Sequence, residues 1–556
     1  MICWSVARPP LRPTIFWPTP PTDPHRPLAT PHDYFSNDSL RKGLKKKTVR
    51  GGAFVAVSQA LSAVISLVAL SILSRLLESA DFGVILKAAV FTGFAAMFVD
   101  AGMSMATVQR EEINRRQVSN LFWFSTAMGL AIALLVSLLS PLVSLFYQDP
   151  RLTPVVVILS CAYLFSGMTS QHQAMMKRAM QYDRLTMTAV VSLIIGQGVG
   201  VAMAWWLHES EHGYWALAAI PVATAAAKMA LSWLVCPWRP DAPKRGVGTR
   251  EMIVFGADLT GFSTVNYLSR NLDNMLIGWW WGDAALGFYG QAYKLFALPM
   301  RLINAPVANV MVPALSRLTS DPQRYRTAYL KVTGATTLLI IPAAAYGLVA
   351  APWLIPAALG PGWEPAVPIF RALLLMGMLQ PVANSTGWLF VSQGRSREQL
   401  QWGLVGSSLC LLSFLVGLPW GAVGVALAYS LGGLLVRTPL LFWWVGRRGP
   451  VSARDLIGTL LRAAPHAAVV ALANLPLLMW LDEETAPLVG VAATLGVTAV
   501  AYAASLAAIP SSRRLVLELK RVGGELRGGG VAQAAGGGDT GQPDPGPAPL
   551  KPQETT

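Results

Sequence analysis

Two stretches, DFGVILKAAVFTGF (81–94) and DAALGFYGQAYKLFALP (283–299), open alike. Each follows a short acidic hairpin and starts an apolar run. Each sets a lysine after a glycine, four residues on at Lys87 and seven on at Lys294. Both offsets land on a similar face of a helix. Apolar runs of this kind fill the chain: of 556 residues, 53% are hydrophobic and only 13% charged, against about a quarter charged in soluble proteins. The two stretches are therefore expected to be the second and eighth membrane-crossing helices of a chain made of two similar halves.

A hydrocarbon core about 30 Å thick takes about 20 apolar residues to cross. On that ruler the sequence offers fourteen helices, at about 52–73, 82–103, 119–147, 153–172, 186–207, 213–236, 252–279, 284–314, 329–350, 366–392, 401–418, 421–445, 458–480 and 486–509. Only LPWG (418–421) divides the eleventh from the twelfth, so twelve or thirteen helices are the alternatives. The expected fold is an all-α polytopic membrane protein: two pseudo-symmetric six-helix lobes plus two C-terminal helices. The organisation runs as 1–42, a proline-rich tail, disordered or an upstream misassigned start; 43–245, the first lobe; 246–449, the second lobe; 450–522, helices thirteen and fourteen with a basic end; and 523–556, a disordered Gly/Pro-rich tail.

The formal net charge of +15 sits mainly in alternate loops, such as QREEINRR, KRAMQYDR, SRLTSDPQRYR and GRRGPVSAR. The intervening loops are poor in Lys and Arg, and HESEH and LDEET are acidic. Basic loops stay on the cytoplasmic side, which places both termini there. This pattern accounts for the charge without nucleic acid as a partner. The tryptophans of WWWG (279–282) then fall at the opposite interface as an anchor.

Ten charges interrupt the apolar spans: Lys87, Lys228, Arg270, Lys294, Arg301, Arg371 and Arg437 against Asp100, Asp258 and Asp273. Each costs about 2.5–3.5 kcal/mol at mid-membrane unless it pairs, snorkels or faces water. Arg270 and Asp273, three residues apart, share a helix face, as do Lys294 and Arg301, seven apart. The eighth helix carries Pro299, Pro306 and Pro313, and carbonyls freed by proline are tolerated where they line a cavity. The excess of cations predicts a positive cavity suited to phosphate or pyrophosphate, which arginine binds in bidentate fashion. Arg301, Lys294, Arg270 and Arg437 are the main expected contacts, with Arg371 and Lys87 beside them. Asp273, Asp258 and Asp100 are candidates for a coupling ion or proton, each with a structural ion pair as the alternative; Arg270 and Asp273 are expected to face the cavity.

Enzyme chemistry is not signalled. Cys3, Cys161, Cys236 and Cys410 are isolated, no GxxxxGK[ST] loop occurs, and DEE (482–484) is a short turn rather than a paired-carboxylate site. His172 is expected to pack or cap rather than shuttle protons.

The runs SRLLESADFGVILKAAVFTGFAAMFVDAGMSMATVQR, QHQAMMKRAMQYDRL, SRNLDNMLIGWWWGDAALGFYGQAYKLFALP and LGPGWEPAVPIFRAL, in that order over roughly 43–446, resemble the polysaccharide transport family. The resemblance is to its colanic-acid/lipopolysaccharide export type, within the multidrug/oligosaccharidyl-lipid/polysaccharide (MOP) superfamily. It implies a flippase in the bacterial inner membrane that moves undecaprenyl-pyrophosphate-linked oligosaccharide units by alternating access, for exopolysaccharide, capsule or lipopolysaccharide synthesis. It implies no bound cofactor, coupling to protons or sodium, and membrane lipid and polysaccharide polymerase machinery as partners. A MATE-like small-molecule antiporter and a polytopic enzyme acting on lipid-linked sugars are the alternatives. The basic excess disfavours the first, and the short loops disfavour the second.

Overall fold

Helix boundaries follow the punctuation of the sequence. The computed structural model describes residues 44–100, 102–110, 113–244, 267, 271–481, 486–510, 512–515, 517 and 518, without the side chains of 44–50, 53, 301 and 305. Its helices are α1 (Leu44–Leu76), α2 (Ser79–Asp100), α3 (Met103–Gln109), α4 (Arg115–Tyr147), α5 (Leu152–Arg178), α6 (Tyr182–Leu207) and α7 (Tyr214–Val235). After these come α8 (271–280) and then α9 (Gly282–Ser316), α10 (Pro322–Leu359), α11 (Ala366–Gly377), α12 (Gln380–Ser392), α13 (Ser396–Gly417), α14 (Gly421–Gly432), α15 (Thr438–Gly446), α16 (Ala453–Trp480) and α17 (Pro487–Ala508). No strand occurs among the described residues.

Local chemistry starts and breaks these helices. Asp321 accepts hydrogen bonds from the amides of Gln323 and Arg324 and begins α10, with Pro322 in its first turn. Ser452 and Asp455 form a reciprocal capping box at α16. α11 and α12 meet at a 45° bend, where Pro381, in the first turn of α12, lacks the amide that would continue α11. Pro299, Pro306 and Pro313 all lie within α9, which runs through them as one helix.

Eleven helical stretches among the described residues are long and apolar enough to cross a membrane, or twelve with the bent α11–α12 pair taken as one. One of them, Ser396–Gly446, is folded back on itself. A 3₁₀ turn at Leu418–Trp420 reverses the chain, Trp402 stands 6.1 Å from Trp444, and Arg437 meets Cys410. The chain therefore turns back within LPWG, where the sequence places the boundary. Most of the expected 252–279 helix, and the expected disordered tails at 1–42 and 523–556, lie outside the described residues.

The helices pack as two lobes. In the first, α4 lies on α5, α6 on α7 and α1 on α6; in the second, α9 lies on α11 and α12, and α13 on α14. α16 and α17 pack together on α10. The chain is an all-α, multi-pass membrane protein. Trp279–Trp281 mark one end of the bundle, the tryptophan end. The loops after α3, α5, α7, α9, α12 and α15 mark the other, the basic end.

Candidate functional site

The lobes join most closely where α2 and α9 start, at the tryptophan end. The junction is reciprocal. A Cβ built on Gly83 would lie 2.0 Å from the carbonyl oxygen of Asp283, and one built on Gly287 would lie 1.9 Å from that of Ser79. Ser79 and Gly83 are four residues apart, as are Asp283 and Gly287. The same small-residue spacing thus brings each backbone onto the other, a close helix contact that only glycine permits.

A buried ion cluster locks onto this crossing. Lys87 is 4% exposed, and its Nζ lies 2.5 Å from Asp283 Oδ1. The other oxygen of Asp283 accepts from Arg151 Nη2 at 2.5 Å, and Arg151 also pairs with Asp149 at 2.9 Å. The ammonium of Lys87 sits 5.2 Å from the Tyr147 ring centre. Burial works to raise the Asp149 carboxyl, but hydrogen bonds from Arg151 outweigh it and hold the group below the usual carboxylate range.

Related contacts flank the crossing on both sides. On one, Ser74 Oγ donates to the Leu359 carbonyl (2.6 Å) and Trp363 Nε1 donates to the Ser74 carbonyl (2.8 Å). Phe82 and Phe288 meet the edges of Trp363 at 5.4 and 5.6 Å. On the other, Trp279 stacks on Phe146 at 6.3 Å, and Trp281 Nε1 donates to the Leu418 carbonyl at 2.7 Å. The end of α1 thus meets the α10–α11 loop, as the end of α8 meets the α4–α5 corner. This is the pseudo-two-fold relation expected of repeated halves. Further along α2, Tyr267 Oη donates to the Ala89 carbonyl at 3.0 Å.

Against this geometry the expected site residues separate. Lys87 is buried at the crossing, with its charge paired to Asp283. Arg371 donates through Nε to the Leu348 carbonyl at 2.9 Å, tying α11 to α10. Arg437 sits in a π-helical turn, Gly433–Arg437, with its guanidinium 4.7 Å from the Tyr429 ring centre and against Cys410. Both cations are half-buried and contact protein partners in this structure. Asp273 is 5% exposed and accepts from Tyr289 Oη at 2.8 Å, inside the second lobe. Its carboxylate is thus buried against α9, with the tyrosine hydroxyl as its partner. Asp100 accepts from Ser104 Oγ at 2.8 Å and stitches α2 to α3.

Lys294 is exposed on α9, 5.9 Å from the Phe82 ring centre. Arg301 lies two turns further along the same helix; its side chain is outside the described residues, as are Arg270 and Asp258 altogether. His172 is fully buried and stacks on Trp233 at 4.7 Å, consistent with a packing role. Asp283, Arg151 and Gln291 were missed by the sequence reading. Gln291 follows Gly287 by four residues, as Lys87 follows Gly83. It is fully buried, and neither side-chain polar atom finds a hydrogen-bond partner among the described residues.

Comparison with known proteins agrees with this architecture. Residues 72–368 match the family described as polysaccharide biosynthesis protein. The lipopolysaccharide biosynthesis protein WzxC of Escherichia coli is 24% identical over 400 residues, 71% of this chain and 79% of that protein. The teichuronic acid biosynthesis protein TuaB of Bacillus subtilis is 26% identical over 362 residues, 65% of this chain and 74% of that one. The lipid II flippase MurJ, in an inward closed conformation, shares the fold with a TM-score of 0.64 at 13% identity, over 82% of this chain and 98% of that one. An inward-facing multidrug MATE transporter of the MOP superfamily gives 0.53 at 14% identity, over 73% and 96%.

Proposed function

Because the chain belongs to the polysaccharide biosynthesis protein family, we propose that it flips undecaprenyl-pyrophosphate-linked oligosaccharide units across the bacterial inner membrane by alternating access, with its basic loops and both termini in the cytoplasm. The observation that carries this reading is the junction itself. Two lobes meet at the tryptophan end through main chain and a buried ion cluster. An alternating-access carrier needs such a contact at whichever end is shut. In this reading the tryptophan end is periplasmic and closed, and cargo enters from the basic end.

The head group carries two phosphates, and α9 runs inward from the junction with Lys294 and Arg301 about 10 Å apart on one face. These two, with Arg270, are assigned to the pyrophosphate. Lys87 acts instead in closing the outer end, and Arg371 and Arg437 in holding the second lobe together. Asp273, with Tyr289 donating to it, is assigned the coupling proton or sodium ion ahead of Asp258 and Asp100. A polymerase takes up the delivered units. The protein moves its lipid-linked cargo without making or breaking covalent bonds.

Polymer export in a deletion strain carrying Arg301→Ala or Arg301→Lys tests the assignment, with membrane levels checked by blot. Arg301→Ala is expected to stop export and leave lipid-linked units on the cytoplasmic side, and Arg301→Lys to retain part of it. Normal export by a stably inserted Arg301→Ala would overturn it.

A further inference from the structure

At the basic end, α10 and α16 lie side by side and the chain beyond α17 turns back over them. Polar contacts fix this return. His466, fully buried on α16, has Nδ1 2.8 Å from Ser505 Oγ and Nε2 2.7 Å from Ser512 Oγ. Glu518 pairs with Lys331 of α10 at 2.8 Å. Between the return and the two helices is a cavity of about 310 Å³, whose lining includes Lys331, Arg462, Arg514 and Glu518, with Leu330 and Leu338 among its apolar walls.

Three cations face one carboxylate, and among the described residues neither Arg462 nor Arg514 has an ion-pair partner. The level is informative. Lys331 and Arg462 each follow the first residue of their helix by nine positions, about 13 Å in at 1.5 Å per residue. α10 has 38 residues and so is about 57 Å long, well beyond a hydrocarbon core of about 30 Å. In the orientation proposed above, on which this inference rests, its early turns stand in the headgroup layer, with Leu338 further along toward the apolar core.

We propose that this cavity binds the phosphate of an anionic phospholipid headgroup. Arg462 and Arg514 grip the phosphate oxygens, Lys331 is shared with Glu518, and the acyl chains run along the leucine side. Glu518 competes with the phosphate for Lys331, so removing its charge strengthens binding.

The test uses full-length protein in mixed micelles of phosphatidylglycerol and phosphatidylcholine, with bound lipid counted by native mass spectrometry. Phosphatidylglycerol is expected to be retained over phosphatidylcholine. Arg462→Ala with Arg514→Ala should lower retention roughly tenfold, and Glu518→Gln should raise it. Arg116→Ala with Lys177→Ala, which removes the same charge from exposed sites at the basic end of the other lobe, should leave it unchanged. Equal loss in both double variants would reduce the effect to general surface charge and overturn the proposal. So would equal retention of both lipids, an unchanged or lowered signal in Glu518→Gln, or full displacement by inorganic phosphate, which would make the ligand a free anion.

Discussion

Replacing Gly83 with alanine tests the lobe junction at its narrowest point. The added Cβ would sit 2.0 Å from the Asp283 carbonyl oxygen, an atom of main chain that cannot rotate away. To restore an ordinary contact of 3.4 Å, α2 and α9 must separate by about 1.4 Å, a backbone shift of the kind that costs about 1–3 kcal/mol. The same movement stretches the 2.5 Å Lys87–Asp283 pair toward the limit of an ion pair, at about 4 Å. A penalty of that size, falling only on the closed junction, shifts the closed-to-open ratio roughly 5- to 150-fold. Spin labels on Gln148 and Glu364, exposed on the tryptophan end of opposite lobes, would report it by double electron–electron resonance in a background with Cys3, Cys161, Cys236 and Cys410 replaced by serine. A longer distance population should grow in Gly83→Ala and again in Gly287→Ala. Gly290→Ala is the control, since the nearest atom to its Cβ would be a terminal methyl of Leu86 at 2.2 Å, and that side chain can turn aside. Unchanged distances in folded Gly83→Ala protein, or an equal shift in Gly290→Ala, would refute the claim that main-chain contact sets the closed spacing.

Asp283→Asn leaves Lys87 buried without its counter-charge and should cost about 3–5 kcal/mol. Lys87→Met combined with Asp283→Leu should recover most of that loss in a thermal-melt cycle, and additive losses would contradict a coupled pair. Tyr289→Phe removes the donor to Asp273, a bond worth about 1.5–3 kcal/mol to a charged acceptor. Transport driven by an imposed proton or sodium gradient should weaken, and an unchanged gradient dependence would exclude Asp273 from coupling. Asp149 has a depressed carboxyl in the folded protein, so its stabilisation is complete above the ordinary value of about 3.9 and fades as pH falls through the lower folded value. The melting-temperature gap between the native protein and Asp149→Asn should therefore be full near neutrality and close only in that acid range; a gap that persists there would show that the contribution is not ionic.

Much of the membrane architecture is legible because lipid imposes a length and a polarity on every crossing. The turn at LPWG and the exposed tryptophans 279–281 follow from that constraint. So does the likeness of the α2 and α9 starts, which turned out to be the mutual contact of the lobes. The role of Lys87 was not legible. A lysine in an apolar run reads alike whether it faces a water-filled cavity or a carboxylate 196 positions away, and Asp283 looked like a turn residue. The setting of Arg437 was only partly legible: Tyr429 lies eight residues back on the same helical run, but Cys410 comes near only after the hairpin folds. A useful signal was present and passed over: Ser79/Gly83 and Asp283/Gly287 share one spacing at two matching helix starts, which is what a close backbone crossing requires.

In the proposed transport cycle, the crossing of α2 and α9 acts as a door with separate jamb and catch. Glycine against carbonyl is the jamb: with no side chain between the backbones there is no rotamer to adjust, so the helices halt at one separation. Lys87, Asp283 and Arg151 are the catch, a grip whose strength changes with charge while the stopping place does not. Related proteins could therefore release their cargo at very different rates from the same closed shape by altering only residues at the catch. The door is also lopsided, since the position matching Lys87 in the second half is Gln291, which carries no charge. A duplicated frame has kept its jamb symmetric and placed its latch on one side.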